Sequence, residues 1–203
     1  MLTIGLCGGS GSGKGVVCNR LAAKGIPSFD CDAVYHGMIE QDSPVSREIV
    51  KRFGSSVLNG KGGIDRVKLG DAVFGADADA KRKELNEIAH RHILAACRTW
   101  IAKQRADGKF AAIVDAPLLY ESGFDRECDL TVAVTASKDV RIKRIVERDG
   151  ITTDAAERRL SAQLSDDELI RRSDLVIAND GDMDRLNEEI EKLYLAIKER
   201  IEK

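Results

Sequence analysis

No large excess of either charge marks this sequence: 32 lysines and arginines stand against 34 aspartates and glutamates, for a formal net charge of −2. That excludes the broad basic surface of a general nucleic-acid binder, while leaving room for a local basic cluster serving a phosphorylated small molecule. No cysteine pair has C-x-x-C spacing. The five thiols, Cys7, Cys18, Cys31, Cys97 and Cys128, are scattered and odd in number. A zinc site or disulfide framework is therefore not expected, a reducing compartment is, and most of the thiols read as small core side chains. No run is long and apolar enough to span a bilayer, and the apolar N-terminal stretch lacks the basic leader of a secretory signal. Internal repeats, low-complexity tracts and long flexible linkers are also missing. The expectation is a cytoplasmic protein with neither nucleic acid nor membrane as partner.

What is present suffices for a folded core. At 203 residues and 43% hydrophobic, the chain is long enough for one domain with an insertion, or one domain and a small second one. The rest is organised around Leu2 to Val16, LTIGLCGGSGSGKGV. Leu2 to Cys7 is uncharged and mostly apolar, the pattern of a strand buried on both faces. Val16, Val17, Leu21 and Ala22 then recur at helical spacing. Between them, Gly8 to Lys14 fits G-x-x-x-x-G-K, the loop that cradles phosphate. Its glycines let backbone amides approach phosphate oxygens closely. The following helix aims its positive dipole end at the same anion, and Lys14 can reach the β- and γ-phosphates. The motif ordinarily ends in Ser or Thr, whose hydroxyl ligates Mg²⁺. Here Gly15 and Val16 stand there, and neither side chain offers an oxygen.

Further along, Gly25 breaks the first helix and a second short strand is expected from Ile26 through Asp30-Cys31-Asp32. In an open parallel sheet the carboxyl ends of strands face the ligand, which sets Asp30 and Asp32 at the same mouth as the glycine loop. Two residues apart in extended chain they share a face, a pairing suited to a proton acceptor or a metal site. An aspartate before Ala33-Val34-Tyr35 is also a good helix cap. From Ala33 to Gly108 the pattern is helical nearly throughout. Pro44 opens one helix, Asp65 caps a short one reaching Phe74, and Asp77 starts a long one carrying Leu85, Ile88, His92, Ala96 and Trp100. The block is too long for a simple crossover and reads as a helical insertion; His90 and His92 lie in it. Phe110 to Asp115 is a further buried strand, closing on an acid placed to face the hydration shell of Mg²⁺. After a fourth strand, Leu130 to Thr135, Ser137 caps a helix whose Arg141, Arg144 and Arg148 share one face, the forks that transferring phosphates need. Arg158 and Arg159, in a helix begun by Thr153-Asp154, form with Arg148 a basic flap. Asp174 to Ala178 is a fifth strand, Asn179-Asp180-Gly181 a turn, and Leu186, Ile190, Leu193 and Ile197 the stripe of a covering helix.

Several of these segments, taken in order, resemble the dephospho-coenzyme A kinases over nearly the whole chain. They are GLCGGSGSGK at Gly5 to Lys14, GIPSFDCDAV at Gly25 to Val34, His90, and DAPLLYESG at Asp115 to Gly123. RIKRIVERD at Arg141 to Asp149, RLSAQ at Arg159 to Gln163 and DLVIAND at Asp174 to Asp180 complete the set. The loop alone is shared by many nucleotide-hydrolysing enzymes; D-x-D after the second strand together with PLL-[aromatic]-E is far more specific. The resemblance implies an α/β fold: a three-layer α/β/α P-loop core of five parallel strands, like that of nucleoside monophosphate kinases, with a helical insertion and a small helical lid. The expected division is a nucleotide-binding core of residues 1–32, 108–148 and 170–203, a helical coenzyme A domain of 33–107, and a lid of 149–169.

The implied activity is ATP-dependent phosphorylation of the ribose 3′-hydroxyl of dephospho-coenzyme A, with Mg²⁺ as cofactor and ATP as co-substrate. By the same resemblance Asp32 accepts or orients that hydroxyl, Lys14 contacts the β- and γ-phosphates and Arg144 stabilises the transferred group. The ATP-binding set becomes Gly8, Gly9, Gly11, Ser12, Gly13, Lys14, Gly15, Val16, Arg144, Arg148 and Asn179, the last on the adenine side. Asp32, His90, Leu118 and Arg159 form the substrate set, and Asp32 and Asp115 hold the metal through water. Two departures stand out: the family has Ser-Thr where this chain has Gly15-Val16, and His-Pro where it has His90-Arg91. The rival readings are another small-molecule kinase on the same core, such as a nucleoside or shikimate kinase, and a nucleotide-binding paralogue with weak or no turnover. A monomer or weak homo-oligomer is expected.

Overall fold

The computed structural model describes residues 1–73 and 78–202. Each of the five apolar runs becomes a strand: Leu2–Cys7 (β1), Ser28–Asp30 (β2), Ala111–Asp115 (β3), Leu130–Thr135 (β4) and Leu175–Ala178 (β5). They form one sheet in the order β2-β3-β1-β4-β5, with β1·β3, β1·β4 and β4·β5 all parallel. The first strand therefore sits in the middle. The register pairs Leu6 with Asp115 and with Val132, so the carboxyl ends of β1, β3 and β4 open at one edge.

Parallel strands need crossovers, and helices supply them. Lys14–Ala23 (α1) joins β1 to β2. Cys31–Ile39 (α2), Pro44–Phe53 (α3), Arg66–Val73 (α4) and Ala78–Ala106 (α5) lie between β2 and β3. Lys138–Asp149 (α6), Thr153–Ser161 (α7) and Asp166–Arg172 (α8) lie between β4 and β5, and Met183–Glu202 (α9) follows. Ile4, Leu6, Ile113, Val132 and Ile177 point to one face, where they meet Val17 and Leu21 of α1 and the Leu186, Ile190, Leu193, Ile197 stripe of α9. The period-two alternation of a strand sends Gly5 to the opposite face. There a Cβ would come within 2.9 Å of both Leu119 Cδ2 and Cys128 Sγ. Gly5→Ala is accordingly expected to lower stability by about 1–3 kcal/mol through overpacking, measured as a shifted denaturation midpoint in urea.

By its contacts the chain divides into two units, Met1–Phe29 with Ile101–Lys203, and Asp30–Trp100. The second has its own core of Ile39, Val45, Ile49, Val57, Leu69 and Ile88. Pro44 takes the first turn of α3 behind a Ser43–Ser46 capping box, as a residue without an N–H should. The Asp65 carboxylate accepts from Val67 N and Lys68 N and so caps α4. The expected helix end at Phe74 and start at Asp77 lie outside the described residues. Among those residues no helix is long and apolar enough to cross a membrane. Four of the five cysteines are buried, and Cys128 is partly so.

One expected strand is shorter than its sequence suggests. Asp30 ends β2, and its carboxylate accepts from Ala33 N at 2.9 Å as the N-cap of α2. Asp32 is therefore a residue of the first helical turn. The two aspartates do not share a strand face, because the cap turns the chain between them.

Candidate functional site

The phosphate loop is held rigid by neighbours on three sides. Gly13, at φ +99°, is the residue before α1, and a Cβ on it would lie 2.2 Å from Asn179 Nδ2. Gly11, at φ +78°, packs on the backbone of Arg141. Ser12 N donates back to Gly9 O at 3.1 Å, closing the crest. The Ser12 hydroxyl is fully buried and finds no hydrogen-bond partner among the described residues. An orphaned hydroxyl beside the first turn of a helix, whose amides also lack intrahelical acceptors, suits an anion. Gly15 differs from its neighbours, since a Cβ there would meet nothing within 4 Å. Neither Gly15 nor the half-buried Val16 brings an oxygen.

Lys14 and Asp115 meet beside the loop. Lys14 Nζ lies 3.4 Å from Asp115 Oδ1, with the side chains 15% and 13% exposed. The other carboxylate oxygen accepts from Cys18 Sγ at 3.7 Å. Burial, with the Asp115 charge next to it, pushes the Cys18 thiol up to about 12 and so keeps it protonated as a donor. Spacing gave no hint of this contact, because Cys18 reads as a core residue of an amphipathic helix.

The arginines expected to act together on one helix face are sent to different partners. Arg141 is buried and donates to Ser10 O and Asp166 Oδ1. Arg148, exposed, grips Asp149 at 2.7 and 2.9 Å, and Arg159 binds that same carboxylate. Hydrogen bonds from both guanidinium groups hold the Asp149 carboxyl well below the usual carboxylate range. Arg144 is the exception. It donates to Gly11 O at 3.2 Å and to Asn179 Oδ1 at 3.4 Å, and it makes no ion pair with a carboxylate among the described residues. Its guanidinium lies against the loop with only neutral hydrogen-bond acceptors, and the Asp180 carboxylate feels its charge. Asn179, 5% exposed, donates from Nδ2 to Ser12 O at 2.7 Å, so its amide bridges the loop and Arg144. Asn179 N also donates to Thr135 O.

Ser137 stands at the start of α6, but its side chain makes no capping bond. Its backbone N–H instead donates to Asp180 Oδ1 at 2.6 Å, a bond that holds the Asp180 carboxyl below its ordinary range. In the segment after β3, Leu119 and Tyr120 are buried while Leu118 is 44% exposed.

The helical unit carries the remaining candidates. Asp32 is exposed on α2 and makes no hydrogen bond or ion pair among the described residues, whereas Asp30 is spent as a cap. His90 is half-buried on α5. Arg91 donates from Nη2 to Glu48 Oε1 at 2.5 Å, and His92 Nε2 lies 2.7 Å from Glu48 Oε2, so two adjacent residues of α5 are fastened to one carboxylate of α3. The His92 bond and the Arg91 charge hold the Glu48 carboxyl below its ordinary range.

No group of three or more His, Cys, Asp or Glu side chains able to hold a metal ion occurs among the described residues. That donor set does not fit a protein-caged ion. It does fit a Mg²⁺ carried on phosphates, which keeps most of its waters and takes only one or two carboxylates from the protein; Asp115 is such a carboxylate beside the loop.

Comparison with known proteins agrees with this geometry. A family model described as dephospho-CoA kinase matches residues 2–185. The chain is 36% identical over 198 residues to a dephospho-CoA kinase of Arabidopsis thaliana, covering 98% of this chain and 84% of that one. It is 35% identical over 201 residues to one of Corynebacterium efficiens, covering 99% and 100%. Among solved structures, a Thermus thermophilus protein superposes with a TM-score of 0.81 at 25% identity, covering 96% of this chain and 97% of that one.

Proposed function

The chain belongs to the dephospho-CoA kinase family, and on that premise we propose that it transfers the γ-phosphoryl group of ATP to the ribose 3′-hydroxyl of dephospho-coenzyme A. The observation that carries the proposal is the guanidinium of Arg144, bonded to no carboxylate among the described residues, set against a glycine loop beside which Lys14 and Asp115 meet. Phosphoryl transfer asks a protein mainly for positioning and charge neutralisation. Lys14 neutralises the β- and γ-phosphates, the amides at the start of α1 hold them, and Arg144 meets the charge that develops on the transferred group. Gly8, Gly9, Gly11, Ser12, Gly13, Gly15 and Val16 form the cradle, and Asn179 supports it by fixing both Ser12 and Arg144.

Residues 1–32, 108–148 and 170–203 make the nucleotide-binding core in this reading, 33–107 receives the coenzyme A substrate, and 149–169 is a lid. Asp32 orients the acceptor hydroxyl, His90, the exposed Leu118 and Arg159 contact the acceptor, and Arg148 contacts ATP. Bound Mg²⁺ supplies further neutralisation of phosphate charge, held through water by Asp32 and Asp115. The protein works in the cytoplasm as a monomer or weak homo-oligomer, without nucleic-acid or membrane partners.

A coupled assay with ATP, Mg²⁺ and dephospho-coenzyme A tests the proposal: ADP release should require dephospho-coenzyme A and yield coenzyme A. Equal turnover of other alcohols would place the chain among other small-molecule kinases. The second reading, a nucleotide binder with weak turnover, rests on Gly15 and Val16; ADP binding without any product would establish it. The open space around Gly15 makes a clean test available. Gly15→Ser adds a hydroxyl without a clash, and the half-saturating Mg²⁺ concentration is expected to fall by about tenfold or more. No fall would mean that water-held Mg²⁺ is the wrong arrangement.

A further inference from the structure

The crest of the phosphate loop is gripped by side chains from far along the chain. Ser10 offers an N–H, a carbonyl and a hydroxyl, and all three are engaged. Its N–H donates to Gln163 Oε1 at 3.0 Å, its carbonyl accepts from Arg141 Nε at 2.9 Å, and its hydroxyl accepts from Gln163 Nε2 at 3.1 Å. Arg141 donates in addition from Nη2 to Gln163 Oε1 at 3.2 Å and from Nη1 to Asp166 Oδ1 at 2.7 Å. Gly9 leaves the room these groups fill, for a Cβ there would lie 2.0 Å from Arg141 Nη2 and 2.8 Å from Gln163 Oε1. Gln163 lies just past the end of α7 and Asp166 begins α8, so the crest is tied to both sides of the link between those helices. The Arg141 side chain is only 7% exposed. A buried guanidinium is a poor way to gain stability, since apolar groups of similar volume often serve as well or better.

We infer that Gln163 and Arg141 are positioning residues: they fix the crest of the loop for nucleotide binding and couple its occupancy to the α7–α8 segment. Because Ser10 N donates to Gln163, an anion is left to the amides further along, at the start of α1, ahead of Val16, whose N–H already donates to Gly13 O. Displacement of the crest moves Gln163 and Arg141 with it, and Arg141 carries the shift to Asp166. This inference rests on the nucleotide-binding reading above.

The test uses Gln163→Met, which keeps the length and removes the polar atoms, with ADP as the probe. Loss of the two Ser10 bonds is expected to raise the Kd for ADP about tenfold and to leave the KM of the acceptor unchanged. Hydrogen exchange over residues 153–172, slowed by ADP in the wild-type protein, is expected to show no such slowing in the variant. Arg141→Lys, which keeps the charge and loses the fork, is expected to behave in the same way. Gln163→Glu is expected to restore affinity, because it keeps the acceptor and lets the Ser10 hydroxyl donate to it. A methionine variant that binds ADP like wild type overturns the inference, as does a lower thermal midpoint with unchanged ADP affinity. So does a glutamate variant as weak as the methionine one, or wild-type exchange over 153–172 that ADP leaves untouched. Failure of the wild-type protein to bind ADP would instead sink the nucleotide reading itself.

Discussion

Arg144→Met is expected to lower kcat by about a thousandfold, the lower end of what an arginine supplies to a transferring phosphoryl group, while changing the KM for ATP far less. The argument is one of charge accounting across α6. Arg141 is matched by Asp166, and Arg148 shares Asp149 with Arg159, so each has a carboxylate in reach. Arg144 has only neutral acceptors, Gly11 O and Asn179 Oδ1, at 3.2 and 3.4 Å. A guanidinium so placed is only weakly satisfied at rest and gains most when negative charge grows beside it, which is what selective stabilisation of a transition state requires. Folding should hardly notice the change, since the two hydrogen bonds are long, reach neutral acceptors and together contribute about 1 kcal/mol. Arg144→Lys restores the charge without the fork and is expected to recover only part of the rate. Steady-state kinetics and thermal unfolding decide the matter; a methionine variant within tenfold of the wild-type kcat would remove Arg144 from the proposal.

Asp32→Asn is expected to lower kcat by about 10² to 10⁴, the range for a group that handles the proton of a reacting hydroxyl, with the thermal midpoint unmoved. Asp30→Ala is expected to do the reverse, costing about 1 kcal/mol of stability as a lost helix cap and leaving kcat nearly intact. The contrast follows from partners. Asp30 accepts from Ala33 N, whereas Asp32 is exposed and makes no hydrogen bond or ion pair among the described residues. Phosphoryl transfer asks for positioning more than for a strong base, so Asp32 is cast as the group that aims the hydroxyl. Rates unaffected by Asp32→Asn, or lost equally in Asp30→Ala, would show that the assignment of the two aspartates is wrong.

The sheet was legible because buried parallel strands leave short, mostly apolar runs, and LTIGLC, AAIVD and LTVAVT are such runs within a residue of their observed ends. β2 was overextended because Phe29 and Cys31 are both apolar, and only the capping bond of Asp30 shows that the strand stops there. Lys14 and the glycines are readable because the loop is local and its backbone demands are strict. What escaped is what depends on distant partners. Ser137 looked like a cap because hydroxyls cap helices, but Asp180, 43 positions on, holds its N–H. Arg141 looked equivalent to Arg144 on a helical wheel. The difference is set by Ser10 and Asp166, 131 and 25 positions away. Gln163 lies in a recognised segment, yet a single glutamine after an arginine-rich turn carries no local signal of the loop it touches.

The central place of β1 bears on how the chain is made. This strand is made before either of its partners, β3 and β4, which begin at Ala111 and Leu130. Until Ala111 is made its edges have no mate, while residues 30–100 already contain the core of Ile39, Val45, Ile49, Val57, Leu69 and Ile88. The helical unit can therefore settle early from near-neighbour contacts, and the sheet must close later around a strand made well before its partners. A nascent chain halted before Ala111 would carry a complete glycine loop on a strand with nothing beside it.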